Sequence, residues 1–233
     1  MTQQLTTPTQ FAIIIGHPRP GSLNHALAHA YSDALVAHGI DRDAIDIIDL
    51  AVARPALHPD VTHLRAPNGH IDHLPLEQQE WIETLERAHH IVIFFPQWWG
   101  TYPGVLKAFL DVTFLSGRAY LYGNKVPIKL WKGRTARLVM TMDSPRWWNR
   151  LWYRNAAETS LKNAVLWFVG ISVAAVTRLT PVRHSPDDVR ASWLKKMAQA
   201  AVRDAGKRRR IGAIPARETQ ETTRQNVPSP PSS

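Results

Sequence analysis

The chain has 233 residues, among them 28 Lys and Arg, 19 Asp and Glu, 11 His, 9 Trp, 17 Pro and no Cys. That length suits one large α/β domain or two small ones, and an apolar share of 44% excludes wholesale disorder and collagen-like structure. Without cysteine there is no disulfide framework, thiolate zinc site, iron–sulfur cluster or cysteine nucleophile. Much of the +9 net charge sits in residues 203–233, which hold seven basic and three acidic residues, so the high pI argues only weakly for nucleic acid.

Residues 1–10 lack a cationic n-region and an apolar h-region, so no secretory signal is expected, and they are read as a flexible N-terminus. Residues 11–15 form a continuous apolar run closed by Gly16, the pattern of a buried strand. Residues 22–38 repeat apolar side chains at helical spacing and stop at Gly39. Residues 45–50 read as a second strand, completing a βαβ unit with parallel pairing. Four prolines mark residues 54–75 as a long connection. A helix over 76–89, a strand over 91–95 and a helix over 105–114 follow. The pattern then predicts a strand over 135–142, an aromatic loop over 146–153, a helix over 155–168 and a strand over 172–179. Ser185, Pro186, Asp187 and Asp188 cap a last helix ending near Ala205.

Five strands alternating with helices predict a doubly wound five-stranded parallel sheet, order 2-1-3-4-5, in one domain spanning 11–205, with a basic, Pro/Ser-rich disordered tail over 206–233. In such a sheet a ligand sits at the carboxyl ends of strands one and three, where the order reverses. The longest uncharged apolar-looking stretch, 163–177, is too short to cross a membrane. The expected place is therefore the cytoplasm, with no membrane span.

The loop after the first strand contains His17, Arg19, Gly21, Ser22, Leu23 and Asn24. It is neither a Walker A loop nor a GxGxxG turn, but it offers helix N-terminal amides, a hydroxyl and a cation, as a phosphate requires. After the third strand come Pro96, Gln97, Trp98, Trp99 and Gly100. Adjacent tryptophans point to opposite sides, so one or both should face a ligand, and the turn presents backbone N–H groups to it. The irregular His58, His63, His70 and His73 do not match metal-ligand spacings, so no metal is expected.

These two loops resemble the H-x-x-x-x-S-x-N-x-A-[LMI] and P-x-x-W-x-x-x-P-A-x-L-K segments of the NAD(P)H:quinone oxidoreductase family, flavoproteins with a flavodoxin-like fold; Gly104 stands where the family has Ala. The resemblance spans roughly residues 11–200. It implies that His17, Ser22, Leu23, Asn24 and Ala26 surround the flavin phosphate, and that Pro96, Gln97, Trp98, Trp99 and Gly100 hold the ring. Thr141, Met142, Asp143 and Ser144 would lie over its pyrimidine side, in a form that departs from the family's usual Thr-Thr-Gly-Gly turn and resembles a bacterial branch. Tyr120 and Tyr122, in a stretch like the family's G-x-A-Y-x-Y, would reach a neighbouring subunit's substrate pocket in a homodimer, and Trp147 and Trp148 would line that pocket. No catalytic residue is firmly assigned; Tyr153 is the candidate substitute for the tyrosine that steadies reduced flavin in relatives.

The implied cofactor is FMN or FAD, held without covalent attachment, with NAD(P)H as co-substrate. The implied activity is two-electron, ping-pong reduction of a quinone or similar flat small-molecule acceptor. A flavin-binding ancillary subunit of an ion-efflux system and an azo- or nitroreductase are the alternatives, and a nucleic-acid partner is not expected.

Overall fold

The computed structural model describes residues 11–123 and 126–208. The expected flexible N-terminus and nearly all of the expected tail lie outside the described residues. Five parallel strands form the sheet: β1 (Phe11–Ile15), β2 (Ile45–Asp49), β3 (His90–Pro96), β6 (Thr135–Thr141) and β7 (Ser172–Leu179), in the order β2-β1-β3-β6-β7. Counting these strands alone, that is the expected 2-1-3-4-5. The short antiparallel pair β4 (Tyr120–Leu121) and β5 (Ile128–Lys129) was not expected, because two-residue strands leave no periodicity to read.

The sheet's two faces divide the core by alternation along each strand. Phe11, Ile13, Ile15, Val92, Phe94 and Val139 pack under α1 (Leu23–Ala37) and α8 (Asp187–Arg208). Ala12, Ile14, Ile91, Ile93, Phe95, Leu138 and Met140 pack on the other side under α3 (Leu76–Arg87) and α4 (Gly104–Thr113), with Leu161 and Leu166. Central β1 and β3 are buried along their whole length, which explains their unbroken apolar runs. Edge strand β2 reads Ile-Asp-Ile-Ile-Asp, with Ile45 and Ile48 buried and the other three half-buried.

After β2 the chain makes a single turn, α2 (Leu50–Ala53), and enters the long connection. This connection is anchored rather than loose. Ala66, Ile71 and Leu74 pack on Ile82 and Leu115 in a satellite core. The buried Gln78 amide donates to the carbonyls of His63 (2.8 Å) and Val112 (2.7 Å), pinning the connection to α4.

Two sequence expectations are corrected between β6 and β7. The expected aromatic loop contains a helix, α5 (Arg146–Leu151), started after Pro145. The single helix expected over 155–168 is α6 (Ala156–Thr159), a π-helical stretch (Ser160–Leu166) and α7 (Trp167–Val169). A π stretch holds one extra residue per turn, which a 3.6-residue reading cannot register.

β1 feeds α1 on one face and β3 feeds α4 on the other. The crevice between their carboxyl ends is therefore open, and the loops after Ile15, Pro96 and Thr141 meet there.

Candidate active site

A cavity of about 340 Å³ occupies this crevice, lined by His17, Arg19, Gly21, Ser22, Leu23 and Asn24 from the first loop, Pro96, Gln97 and Trp98 from the second, and Thr141, Met142 and Asp143 from the third. Val182 and Arg190 complete it from the segment that enters α8.

The first loop is shaped by Gly21, whose φ of +66° places it in the left-handed region, with nothing within 4 Å of where a Cβ would stand. Ser22 then caps α1, whose first amides have no acceptor inside the helix. The Ser22 N–H donates to His25 Nδ1 (3.3 Å), and the Ser22 hydroxyl lies 2.7 Å from the same atom. With Nδ1 accepting, the ring proton sits on Nε2 and faces the Asp49 carboxylate at 3.1 and 3.2 Å. The hydroxyl expected to donate to a phosphate thus donates to His25. That leaves the amides of Leu23 and Asn24, Arg19 and His17 to meet an anion.

His17 is buried edge-on to Trp98, 5.7 Å between ring centres, with Nδ1 beside the Arg19 carbonyl (3.0 Å) and N–H (3.1 Å). Burial holds it below the ordinary histidine range. The charges of His25 and Arg19 act in the same sense, and the Arg19 carbonyl and Asp49 oppose them.

The loops are tied to one another. Asn24 Nδ2 donates to Thr141 Oγ1 (3.1 Å), and the Gln97 N–H donates to the Thr141 carbonyl (2.7 Å). Residues 98–101 form a two-residue hairpin turn: Trp98 N–H to Thr101 O at 2.8 Å, Thr101 N–H to Trp98 O at 2.9 Å, with Trp99 at φ +49° and Gly100 at φ +77°. Both central residues at positive φ is the I′ pattern, which ordinarily takes Asn-Gly. A bulky residue there is strained. The expectation that the turn's N–H groups face a ligand is therefore narrowed. Those of Gln97 and Trp98 are engaged, while among the described residues those of Trp99 and Gly100 have no partner.

Of the residues singled out from sequence, His17, Ser22, Leu23, Asn24, Pro96, Gln97, Trp98, Thr141, Met142 and Asp143 converge on this cavity. Ala26, Trp99, Gly100 and Ser144 do not line it. Ala26 faces outward on α1, and the Trp99 ring is 99% exposed. Gly100 is buried against Tyr153, whose ring atoms lie from 3.2 Å of its would-be Cβ. Trp147 and Trp148 lie on α5, where Trp148 stacks on Trp152 at 5.0 Å. Tyr120 and Tyr122 are elsewhere, hydroxyl to hydroxyl at 3.3 Å, and Tyr120 lines a second cavity with Phe114 and Phe168. Burial and the Tyr122 hydrogen bond push the Tyr120 hydroxyl up to about 12. Val182 and Arg190 were missed, since a valine in a loop and an arginine on a helix carry no local signal of a pocket.

Residues 9–203 match a family with the flavodoxin-like fold, and the chain belongs to that family. It is 30% identical over 196 residues, 82% of this chain and 94% of the relative, to the uncharacterized NAD(P)H oxidoreductase YcaK of Escherichia coli K12. It is 24% identical over 212 residues, 86% of this chain and 99% of the relative, to FMN-dependent NADH:quinone oxidoreductase 2 of Bacillus cereus. Among solved structures, an FMN-dependent NADH-azoreductase from Bacillus anthracis in complex with FMN superposes with a TM-score of 0.66 at 21% identity, over 84% of this chain and 98% of that one.

Proposed function

We propose that this chain is an FMN-dependent NAD(P)H oxidoreductase that reduces quinones or similar flat acceptors by two electrons in ping-pong order. The observation that carries the reading is the cavity at the switch point. One end is cationic and rich in amides, and the other is walled by Pro96, Gln97, Trp98 and Met142. A volume of about 340 Å³ is at the small end for ligand pockets, roughly 300–1,000 Å³, and suits a mononucleotide better than a dinucleotide. Gly21 leaves open space beside the first loop, with nothing within 4 Å of where a Cβ would stand. The names of the Bacillus relatives point to the same cofactor.

Bound FMN would supply hydride acceptance and electron transfer. The protein's part is to bind, orient and exclude water. Arg19, His17 and the first amides of α1 hold the phosphate. The Asn24–Thr141 bond fixes the distance between the phosphate loop and the third loop. The amides of Trp99 and Gly100, unpaired in the turn beside Trp98 although neither residue lines the cavity, are the proposed donors for the ring's polar edge, with the strain at Trp99 aiming them. Trp98 and Met142 cover apolar ring surface.

A homodimer is part of the proposal. Tyr122 is 72% exposed beside a half-buried Tyr120, which suits a pair of rings completing a pocket in a second copy. The cytoplasm is the proposed location. An azo compound is a second acceptor class, favoured by the azoreductase likeness.

The test is the visible spectrum of the purified protein before and after anaerobic NADPH or NADH. A yellow protein that bleaches and regains colour on adding a quinone supports the proposal. A colourless protein that does not quench FMN fluorescence overturns it.

A further inference from the structure

Helix α5 and the residues after it read Arg146-Trp147-Trp148-Asn149-Arg150-Leu151-Trp152-Tyr153-Arg154. Four-residue spacing puts Arg146 and Arg150 on one stripe of the helix and Trp147 and Leu151 on the next. Trp147, Leu151 and Trp152 are 58%, 62% and 67% exposed. They are not loose. Asn149, fully buried, accepts from Gln97 Nε2 (2.5 Å) and donates to Asn155 Oδ1 (3.0 Å), and Trp147 meets Trp148 edge-on while Trp148 stacks on Trp152. The fold thus pins the inner side of α5 and holds an apolar outer side in water.

The charge around it has one sign. No Asp or Glu occurs between Asp143 and Glu158. Asp143 is tied to Arg183, and Glu158 is buried against Arg178. Arg146, Arg150 and Arg154 are exposed, and among the described residues none pairs with a carboxylate. The strip continues onto α8: besides partial burial, the charges of Arg146 and Arg203 pull Lys196 below the usual lysine range. Tryptophan with arginine is the composition of the membrane–water boundary, where amphipathic rings settle among headgroups and cations meet lipid phosphates.

We propose that α5 and its flanking arginines form a peripheral docking surface for an anionic phospholipid bilayer. Trp147, Leu151 and Trp152 enter the headgroup layer, and Arg146, Arg150 and Arg154 contact lipid phosphates. Charge complementarity selects this occupant: the patch is apolar and cationic together, which fits an anionic lipid surface and opposes a second copy presenting the same arginines. The turn after β3 rests on Tyr153, so docking holds the cavity beside the lipid surface.

The test is co-sedimentation of the full chain with vesicles of phosphatidylcholine alone and of equal phosphatidylcholine and phosphatidylglycerol. Binding is expected to the mixed vesicles only, and to be lost near 1 M salt, where the Debye length is about 3 Å. Arg150→Gln with Arg154→Gln should weaken it about fivefold per charge removed. Leu151→Ser with Trp152→Ser should weaken it as well. Melting curves show that each variant is folded, and the arginine pair, being fully on the surface, keeps the test alive if the apolar pair unfolds. A full-length chain with Lys207, Arg208, Arg209 and Arg210 changed to Gln should retain most binding. No sedimentation with the mixed vesicles overturns the proposal, as does binding unaffected by the arginine pair. Binding abolished by the tail variant alone overturns it too. So does a patch variant that turns a dimer into a monomer when the wild type ignores vesicles, which would make the patch a subunit contact.

Discussion

At the amino ends of the strands, Arg137 binds the Asp204 carboxylate through Nε (2.5 Å) and Nη2 (2.8 Å), while Tyr31 donates to it at 2.8 Å and His90 lies 3.3 Å away. At the carboxyl ends of the same strands, Arg19 and Arg190 face a cavity, and among the described residues neither is bound to a carboxylate. One helix serves both ends: α8 presents Arg190 to the cavity and Asp204 to the network. The difference follows from solvent. Asp204 and Arg137 are almost fully buried, where an unpaired charge would be costly, so the two charges are paired with each other. The cavity is open to water, which solvates cations until an anion displaces it. Closure at one end serves stability, and vacancy of hydrogen-bonding capacity at the other serves binding.

Breaking the closed end should have the largest effect. Asp204→Ala strands Arg137 in the core and should cost about 3–5 kcal/mol in denaturant unfolding, with FMN affinity of the folded fraction unchanged. A loss below about 1 kcal/mol would show that the network does not hold the fold. The same residue sets a pH signature. Burial alone would raise the Asp204 carboxyl, but the hydrogen bonds and charges of Arg137 and His90 outweigh it and hold it well below the usual carboxylate range. Its folded pKa is thus below the unfolded value, so its stabilisation is complete above about pH 4 and declines as pH falls from there. Unfolding across pH should show that acid limb in the wild type and a shallower one in Asp204→Ala.

Breaking the open end should move binding and leave stability alone. Arg19→Ala should weaken FMN by roughly 1.5–3 kcal/mol, about ten- to a hundredfold by flavin fluorescence, with an unchanged melting temperature. Riboflavin, lacking the phosphate, should bind both proteins alike. An equal loss for riboflavin would place Arg19 away from the phosphate. The smallest effect sharpens the comparison: Trp99→Asn, which suits the left-handed position, should stabilise the chain by about 1 kcal/mol while weakening FMN. Stabilisation without loss of binding would mean that the strained turn serves no ligand.

The β1 and β3 runs, the Gly39 stop and the Asp187–Asp188 helix start were readable because each depends on residues within one or two turns. The candidate phosphate loop was readable for the same reason, from Gly21 to Asn24 being contiguous. The role of the Ser22 hydroxyl was not. It depends on His25 being turned by Asp49, a residue on the next strand. One or both of Trp98 and Trp99 were expected to face a ligand; Trp98 lines the cavity, while a turn with two positive φ values breaks side-chain alternation and leaves the Trp99 ring in solvent.

The order of the five main strands, the face each of their residues takes and the position of the crevice follow from local periodicity and from the right-handed crossover, and these the sequence determines by itself. Tertiary structure decided the rest: that Arg190 of α8 reaches a pocket begun at His17, that Arg137 meets Asp204, and that Asn149 anchors a helix where only an aromatic loop was expected. Those pairings join residues far apart in the chain, and no single stretch of sequence contains both members of the contact.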